Sequence, residues 1–431
     1  MAEKILTRAH GLNGTLTVPG DKSISHRALL FGSVAHGTTT IHGLLRSEDV
    51  LHTLGALRDL GVTIEDDGQT VTVVGQAGFH FQQPIAPLQM GNSGTTTRLL
   101  MGLLAQQSFE VTLIGDASLS KRPMTRVSDP LALMGANIDV TDGHLPVTLK
   151  HSALQGIDYT LPVASAQVKS ALILAGLQAT GTTVIREPLA TRDHTERMLA
   201  MFGRPVTRED EQILVTPSEL TATQVDVPAD ISSAAFWLVA GLIVPNSHVT
   251  LTKVGMNPTR TGIITLLKRM QATIEVTDLP VVAGGEPLAD LSVVSQNLMG
   301  TMIVAADIPS VIDELPILVL AATQATGVTR ISGAAELRVK ETDRIAAVTT
   351  ELNKLGAQIE ATEDGFIIHG GTPLHAENGV VVDAHGDHRI GMMLAIAAQI
   401  TTGEVTLTNA QSVAVSYPTF FADLAQLRGE A

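Results

Sequence analysis

The sequence predicts an α/β fold in two domains, and three features carry that expectation. The chain is 431 residues long, more than one ordinary hydrophobic core accommodates. Apolar, Ala-rich runs of helical length alternate with short β-like segments. The alternation itself repeats, so that one unit recurs six times.

In chain order the copies are KSISHRALLFGSVAHGTTTIHG, NSGTTTRLLMGLLAQQSFEVTLIG, SAQVKSALILAGLQATGTTVIRE, DISSAAFWLVAGLIVPNSHVTLTK, DELPILVLAATQATGVTRISG and DHRIGMMLAIAAQITTGEVTLTN. Each begins in a polar, often charged turn, continues as an apolar helix, turns at small residues and ends in a strand. They lie roughly 65 to 80 residues apart, too long for a solenoid repeat and about the size of a βαβ-type unit. Most are followed by a second helix that stops at a glycine, and then by two alternating segments: ALRDLGVTIEDDGQTVTVVG, PLALMGANIDVTDGHLPVTL, MLAMFGRPVTREDEQILVTP and ELNKLGAQIEATEDGFIIHG. The glycine suits a left-handed helix C-cap, and Asp67-Gly68, Asp142-Gly143 and Asp364-Gly365 read as hairpin turns. Each unit is thus two helices plus a small mixed sheet.

Six units divide most simply into two domains of three. The crossing is expected in QVDVPADISS, around Asp226 to Asp230, with a second at Val18-Pro19-Gly20 if the first strand belongs with the later units. The expected domains are residues 19–227 and residues 1–18 plus 228–431, with the active site in the cleft between them.

Composition narrows the function. Hydrophobic residues make up 44% of the chain, yet it holds one Trp, two Tyr and nine Phe, so its cores rest on aliphatic side chains and Met. With 28 basic against 43 acidic residues the net charge is −15, which disfavours nucleic acid and anionic membrane surfaces. Without cysteine there is no disulfide, thiolate metal site or cysteine nucleophile. The opening MAEKILTRAHG resembles no targeting segment, and runs such as AAFWLVAGLIVP are too short to span a bilayer. A cytoplasmic protein is expected.

Against that acidic background, cations gather where helices start. PGDKSISHRALL offers Pro19-Gly20 as a turn and Asp21, Ser23 or Ser25 as a cap, yet its first turns carry Lys22, His26 and Arg27. The positive end of a helix dipole tolerates such crowding when an anion sits among the cations. Equivalent positions in the other units hold Gly91, Asn92, Ser93, Gly94, Thr95 and Arg98; Ser165, Gln167 and Lys169; Asp230, Ser232 and Ser233; Asp313 and Glu314; and Asp387, His388 and Arg389. Taken singly, GNSGTTTR reads equally as a turn and cap, SLSKRPMTR as a solvated loop, and ELRVKETDRI as a helix with ion pairs at i,i+3 or i,i+4. Taken together, Lys22, Arg27, Arg98, Arg122, Lys169, Arg192, Lys340, Arg344 and Arg389 read as a bed for more than one anionic group, since guanidinium grips phosphate and carboxylate bidentately. Asp313 and Glu341 lie among these cations as candidate general base and proton shuttle. His26, His194 and His388 lack metal-ligand spacing and read as hydrogen-bonding residues, so no metal is expected.

PGDKSISHR, GNSGTTTRLL, SLSKRPM, SAQVKSALI, TRDHTERM, DELPILVLAA, RVKETDRI and GDHRIGM together resemble the EPSP synthase family of enolpyruvyl transferases, from about Leu12 to Phe421. The resemblance implies two domains, each of three βαβαββ units arranged as an inside-out α/β barrel with helix N-termini directed at the interdomain cleft. It implies transfer of the enolpyruvyl group of phosphoenolpyruvate to the 5-hydroxyl of shikimate-3-phosphate, with no metal or organic cofactor, by a monomer that binds small molecules and neither nucleic acid nor membrane. Carried over motif by motif, Lys22, Ser23, Arg27, Ser165, Ala166, Gln167, Arg192, Asp313 and Lys340 would hold shikimate-3-phosphate. Lys22, Gly94, Arg122, Gln167, Glu341, Arg344 and Arg389 would hold phosphoenolpyruvate. Asp313, Glu341 and Lys22 would be catalytic, through a tetrahedral ketal that expels phosphate.

A lysine that some members of the family carry near the C-terminal end, where it reaches phosphoenolpyruvate, has no counterpart in QSVAVSYPTFF. SAQ and RDHTE resemble members less sensitive to glyphosate, whereas Gly94 keeps the residue of a glyphosate-binding loop. The rival readings are a UDP-N-acetylglucosamine enolpyruvyl transferase, whose usual loop cysteine is absent, and an RNA 3′-phosphate cyclase-like enzyme, which the charge disfavours.

Overall fold

The computed structural model describes residues 3–281 and 285–430. Among the described residues the strands form six sheets, one for each repeat. In the first repeat the order is Gln224–Asp226, Thr38–His42, Thr70–Val74, Thr63–Asp66, the first pair parallel and the others antiparallel. Four further sheets share this order and these senses, so each complete repeat runs strand, helix, strand, helix, hairpin. Contacts divide the chain into two units, Gly20–Val227 with Val281–Glu286, and Met1–Pro19 with Pro228–Pro280 and Pro287–Ala431. Relative to the expected boundaries, Pro19 and the Val281–Glu286 segment fall on the other side.

The 20–227 unit closes on itself because strand Gln224–Asp226, made last, pairs with Thr38–His42 of its first repeat. Its three core helices are Lys22–Val34, Gly94–Leu103 and Ala166–Gly176. Small residues let them approach closely: a Cβ at Gly102 would lie 2.2 Å from the Ala171 carbonyl oxygen, so only glycine fits there. Strand burial alternates, as in Thr70–Val74, so each sheet turns one face to the helices and the other outward.

The other unit borrows its first strands from the N-terminus. Asn13–Leu16 pairs in parallel with His248–Gly255, and Lys4–Thr7 pairs antiparallel with Thr402–Thr408. The sixth repeat has no hairpin of its own, and Lys4–Thr7 fills the place of its missing strand in a three-stranded sheet with His375–Asp383. Core helices Leu315–Thr323 and His388–Ala398 are buried at every residue, and Ile231–Ile243 is buried from Ile231 through Leu242. Helices apolar on all sides need such complete enclosure. The one Trp lies here: Trp237 Nε1 donates to the Tyr417 hydroxyl at 2.9 Å, and its ring stacks on Phe420 at 4.8 Å.

The glycine-stopped helices are as the pattern required: Gly61, Gly135, Gly203 and Gly356 all take φ between 78° and 96°. In the fourth repeat Gln271, with φ 71°, occupies that position after helix Gly262–Arg269. The residue there is not glycine, which is why this second helix carried no sequence signal of the same kind.

Candidate active site

In the 20–227 unit, three helix starts are knitted together by side chains. Asp21 caps the first helix, accepting from Ile24 N at 2.9 Å, and places Lys22 at its first helical position. Lys22 Nζ donates to Asp49 Oδ2 at 3.1 Å, and Asp49 comes from the following helix Glu48–Asp59. Ser23 is half-buried and its carbonyl accepts from Arg27 Nη1 at 2.9 Å. Arg27 also donates through Nε to Thr195 and through Nη2 to Ser170, each at 2.7 Å. It is only 3% exposed, so its guanidinium is aimed by fixed hydroxyls rather than by solvent.

The second and third helix starts meet beside it. Ser93 caps helix Gly94–Leu103 and Ser165 caps Ala166–Gly176, so both present backbone N–H groups of the kind that receive anions. Arg98 Nη1 donates to Gln167 Oε1, and Gln167 Nε2 donates to Thr95 Oγ1 at 2.9 Å. Arg122 is held by Asn92 Oδ1 at 2.5 Å and is 8% exposed. A Cβ on Gly94 would stand 3.2 Å from Arg122 Nη1 and 3.3 Å from Arg98 Nη1, which places both guanidiniums over this glycine. Ala166 is the first residue of its helix, and Arg192 is half-buried in the bend before helix His194–Met201.

The other unit carries a second cluster. Asp313, just ahead of helix Leu315–Thr323, has Arg344 Nη1 at 3.6 Å, Arg389 Nη2 at 3.8 Å and Lys340 Nζ at 4.0 Å from its carboxylate. Arg389 Nη1 also donates to the Asp313 carbonyl at 2.8 Å. Arg344 donates to Glu341 Oε2 at 2.6 Å and to Asp387 Oδ2 at 2.8 Å. Burial disfavours its charge, but the adjacent Asp387 and Glu341 carboxylates outweigh that and push the guanidinium pKa up, so it stays cationic. Asp387 caps helix His388–Ala398 while holding Arg344, and so ties the fifth and sixth repeats together.

Lys22, Ser23, Arg27, Gly94, Arg122, Ser165, Ala166 and Gln167 lie at the first set of helix starts, and Asp313, Lys340, Glu341, Arg344 and Arg389 lie in the second cluster, whereas Lys169 of the cation bed lies apart from both. Lys169 is fully buried, with Nζ 2.9 Å from Glu187 and 2.8 Å from Glu196. Burial with two carboxylates makes it a structural charge, and Glu187 in turn accepts from Thr191 N at 2.9 Å, anchoring the bend that carries Arg192. Sequence reasoning missed Asp49, Ser170 and Thr195, which orient Lys22 and Arg27. No local spacing marks them, because each comes from a different element. Of the three histidines, His26 bonds Thr53 Oγ1 at 2.7 Å, His194 bonds Glu286 at 2.7 Å, and His388 is buried at its helix start.

The family described as EPSP synthase (3-phosphoshikimate 1-carboxyvinyltransferase) matches residues 6–424. The chain belongs to the EPSP synthase family. A 3-phosphoshikimate 1-carboxyvinyltransferase of Leuconostoc mesenteroides is 56% identical over 431 residues, covering 99% of each chain. That of Leuconostoc citreum is 59% identical over 97% of this chain and 98% of its own. A solved EPSP synthase from Acinetobacter baumannii superposes with a TM-score of 0.86 at 46% identity, over 98% of this chain and 97% of that one. The enolpyruvyl transferase NikO of Streptomyces tendae shares the fold at a TM-score of 0.77 and 18% identity, over 98% and 96% of the two chains.

Proposed function

We infer that the protein transfers the enolpyruvyl group of phosphoenolpyruvate to the 5-hydroxyl of shikimate-3-phosphate, giving 5-enolpyruvylshikimate-3-phosphate and phosphate. Family membership supports the reaction class. The observation that carries the chemistry is Asp313, a carboxylate with three cations, Lys340, Arg344 and Arg389, within 4.0 Å. A carboxylate placed there can accept a proton while its neighbours hold anions.

In this reading Lys22, Ser23, Arg27, Ser165, Ala166, Gln167, Arg192, Asp313 and Lys340 bind shikimate-3-phosphate. Lys22, Gly94, Arg122, Gln167, Glu341, Arg344 and Arg389 bind phosphoenolpyruvate, and the two clusters serve one reaction. Glu341, with Lys22, delivers a proton to the phosphoenolpyruvate methylene, and cationic character develops at C2. Asp313 takes the proton from the 5-hydroxyl as its oxygen bonds to C2, forming a tetrahedral ketal. Glu341, left as a carboxylate by the first step, then takes a proton back from the methyl group as the C2–O bond to phosphate breaks, which regenerates the double bond on the new ether. Preorganised guanidiniums stabilise the departing phosphate without having to reorient. The enzyme acts as a cytoplasmic monomer without a cofactor. Among the described residues no helix is long and apolar enough to cross a membrane.

The test is phosphate release from phosphoenolpyruvate by the purified protein. Release that requires shikimate-3-phosphate is expected. Release driven instead by UDP-N-acetylglucosamine, or none with either acceptor, overturns the reading.

A further inference from the structure

Behind the anion-binding helix starts of the 20–227 unit runs a chain of buried polar groups that the proposed chemistry does not use. His26 Nδ1 lies 2.7 Å from Thr53 Oγ1, Thr53 Oγ1 lies 2.7 Å from Thr96 Oγ1, and Thr96 Oγ1 lies 2.6 Å from Ser93 Oγ. All four residues are fully buried. His26 sits one turn after Lys22 on the first helix, Thr53 is on Glu48–Asp59 one turn after Asp49, and Ser93 caps the helix that opens with Gly94. The chain thus joins the helix start bearing Lys22, Ser23 and Arg27 to the one bearing Gly94.

Each hydroxyl has one proton, so the donors must run in a single direction. Ser93 Oγ already accepts from Thr96 N at 3.1 Å, and Thr96 Oγ1 donates to it. Thr53 then donates to Thr96, which leaves Thr53 Oγ1 to accept from His26. The opposite direction would bury an Nε2–H, and Nε2 has no protein partner among the described residues. An orphaned buried donor is rarer and costlier than an unused acceptor, so the ring carries its proton on Nδ1. Burial, then the nearby Lys22 and Arg27 charges, hold the His26 pKa well below its ordinary value, which keeps the ring neutral.

We propose that His26 is a positioning residue: by donating from Nδ1 into the Thr53–Thr96–Ser93 chain it fixes the spacing between the Lys22 helix start and the Gly94 turn, and so tunes capture of phosphoenolpyruvate. Deeply buried hydroxyl chains are directional and rigid, and a displacement of a fraction of an ångström at Gly94 changes how Arg122 and Arg98 lie over it. The assignment rests on the substrate roles proposed above.

Steady-state kinetics of His26→Leu, Thr53→Val and His26→Asn test it. His26→Leu and Thr53→Val both break the chain, whereas the Asn amide can donate to Thr53 in place of the ring. The first two are expected to raise KM for phosphoenolpyruvate roughly fivefold or more while KM for shikimate-3-phosphate moves less than twofold, and His26→Asn is expected to restore the parent ratio. Equal changes in both constants, an unchanged ratio, or an Asn variant that behaves like Leu overturn the proposal. Imidazole ¹⁵N spectra of the parent protein at neutral pH give an independent reading that needs no variant to fold. A bare Nε2 and a protonated Nδ1 are expected, and the opposite tautomer overturns it. Lys22→Met separates the two levels: if it leaves both KM values unchanged the substrate assignment fails, and if it weakens both while His26→Leu alters neither, only the chain's role fails.

Discussion

Lys22 Nζ stands 3.1 Å from Asp49 Oδ2, so the lysine expected to meet both substrates is tethered by a carboxylate from a neighbouring helix. A lysine stem has four rotatable bonds, and an ammonium left to wander occupies the productive position only part of the time. Replacing Asp49 by Ala therefore lowers kcat/KM by about tenfold, ~1.4 kcal/mol, and the loss does not add to that of Lys22→Met. A double-mutant cycle on kcat/KM checks this, and additive losses would separate the two residues.

Gly94 lies under two guanidiniums, and a methyl group there would meet Arg122 Nη1 at 3.2 Å and Arg98 Nη1 at 3.3 Å. Both contacts are with ends of flexible side chains, so the fold survives while the anion position is disturbed. Gly94→Ala should raise KM for phosphoenolpyruvate by the equivalent of about 1 to 2 kcal/mol and leave the melting temperature within a few degrees. Kinetics alongside thermal denaturation distinguishes this from general destabilisation.

Asp313 is assigned proton removal from the attacking hydroxyl. Asp313→Ala keeps affinity for shikimate-3-phosphate within severalfold, measured by calorimetry, and loses about 10² to 10⁴ in kcat. Near-normal turnover would remove Asp313 from the mechanism.

Arg344 and Asp387 form a pair that is 1% and 0% exposed. Removing one partner strands a buried charge, so Asp387→Ala costs about 3 to 5 kcal/mol of stability. Trp237 belongs to the same unit and its fluorescence reports the urea transition there. A midpoint that stays put contradicts the pairing.

His26 supplies a pH prediction. Its pKa is lowered in the folded protein, chiefly by burial, so below about pH 6.5 the unfolded chain binds a proton that the native state refuses. The contribution of His26 is therefore present in full above that pH and is lost on acidification by up to about 1.4 kcal/mol per pH unit. In His26→Asn that share of the slope disappears. Urea titrations of both proteins at pH 7.5, 6.5 and 5.5 measure it, and parallel curves would mean that His26 is freely protonated.

Much of this architecture could be read from the chain because the repeat reinforces itself. Four helix stops at Gly61, Gly135, Gly203 and Gly356 use the same left-handed geometry, and six polar helix starts recur at corresponding places. Recognition weakened where another residue took a special conformation, as Gln271 does, or where a strand came from far away in sequence, as Lys4–Thr7 does. The candidate site divided in the same manner. Cations and carboxylates in the turns stood out against an acidic composition, but Asp49, Ser170 and Thr195 act through tertiary approach and look ordinary in their own segments. Lys169 shows the converse: a helix-start lysine looks the same in sequence whether it faces a substrate or, as here, two buried glutamates.

The borrowed strands impose an order on synthesis. Leu12 N donates to Ser247 Oγ, 235 residues away, so as the nascent chain leaves the ribosome its leading segment has nothing to pair with until the later half emerges. The first sheet of the inserted 20–227 segment needs no such delay, since Gln224–Asp226 completes it from within. Translation therefore matures the middle of the polypeptide before its beginning, and a fusion or clip at the amino end would injure the half that is made last.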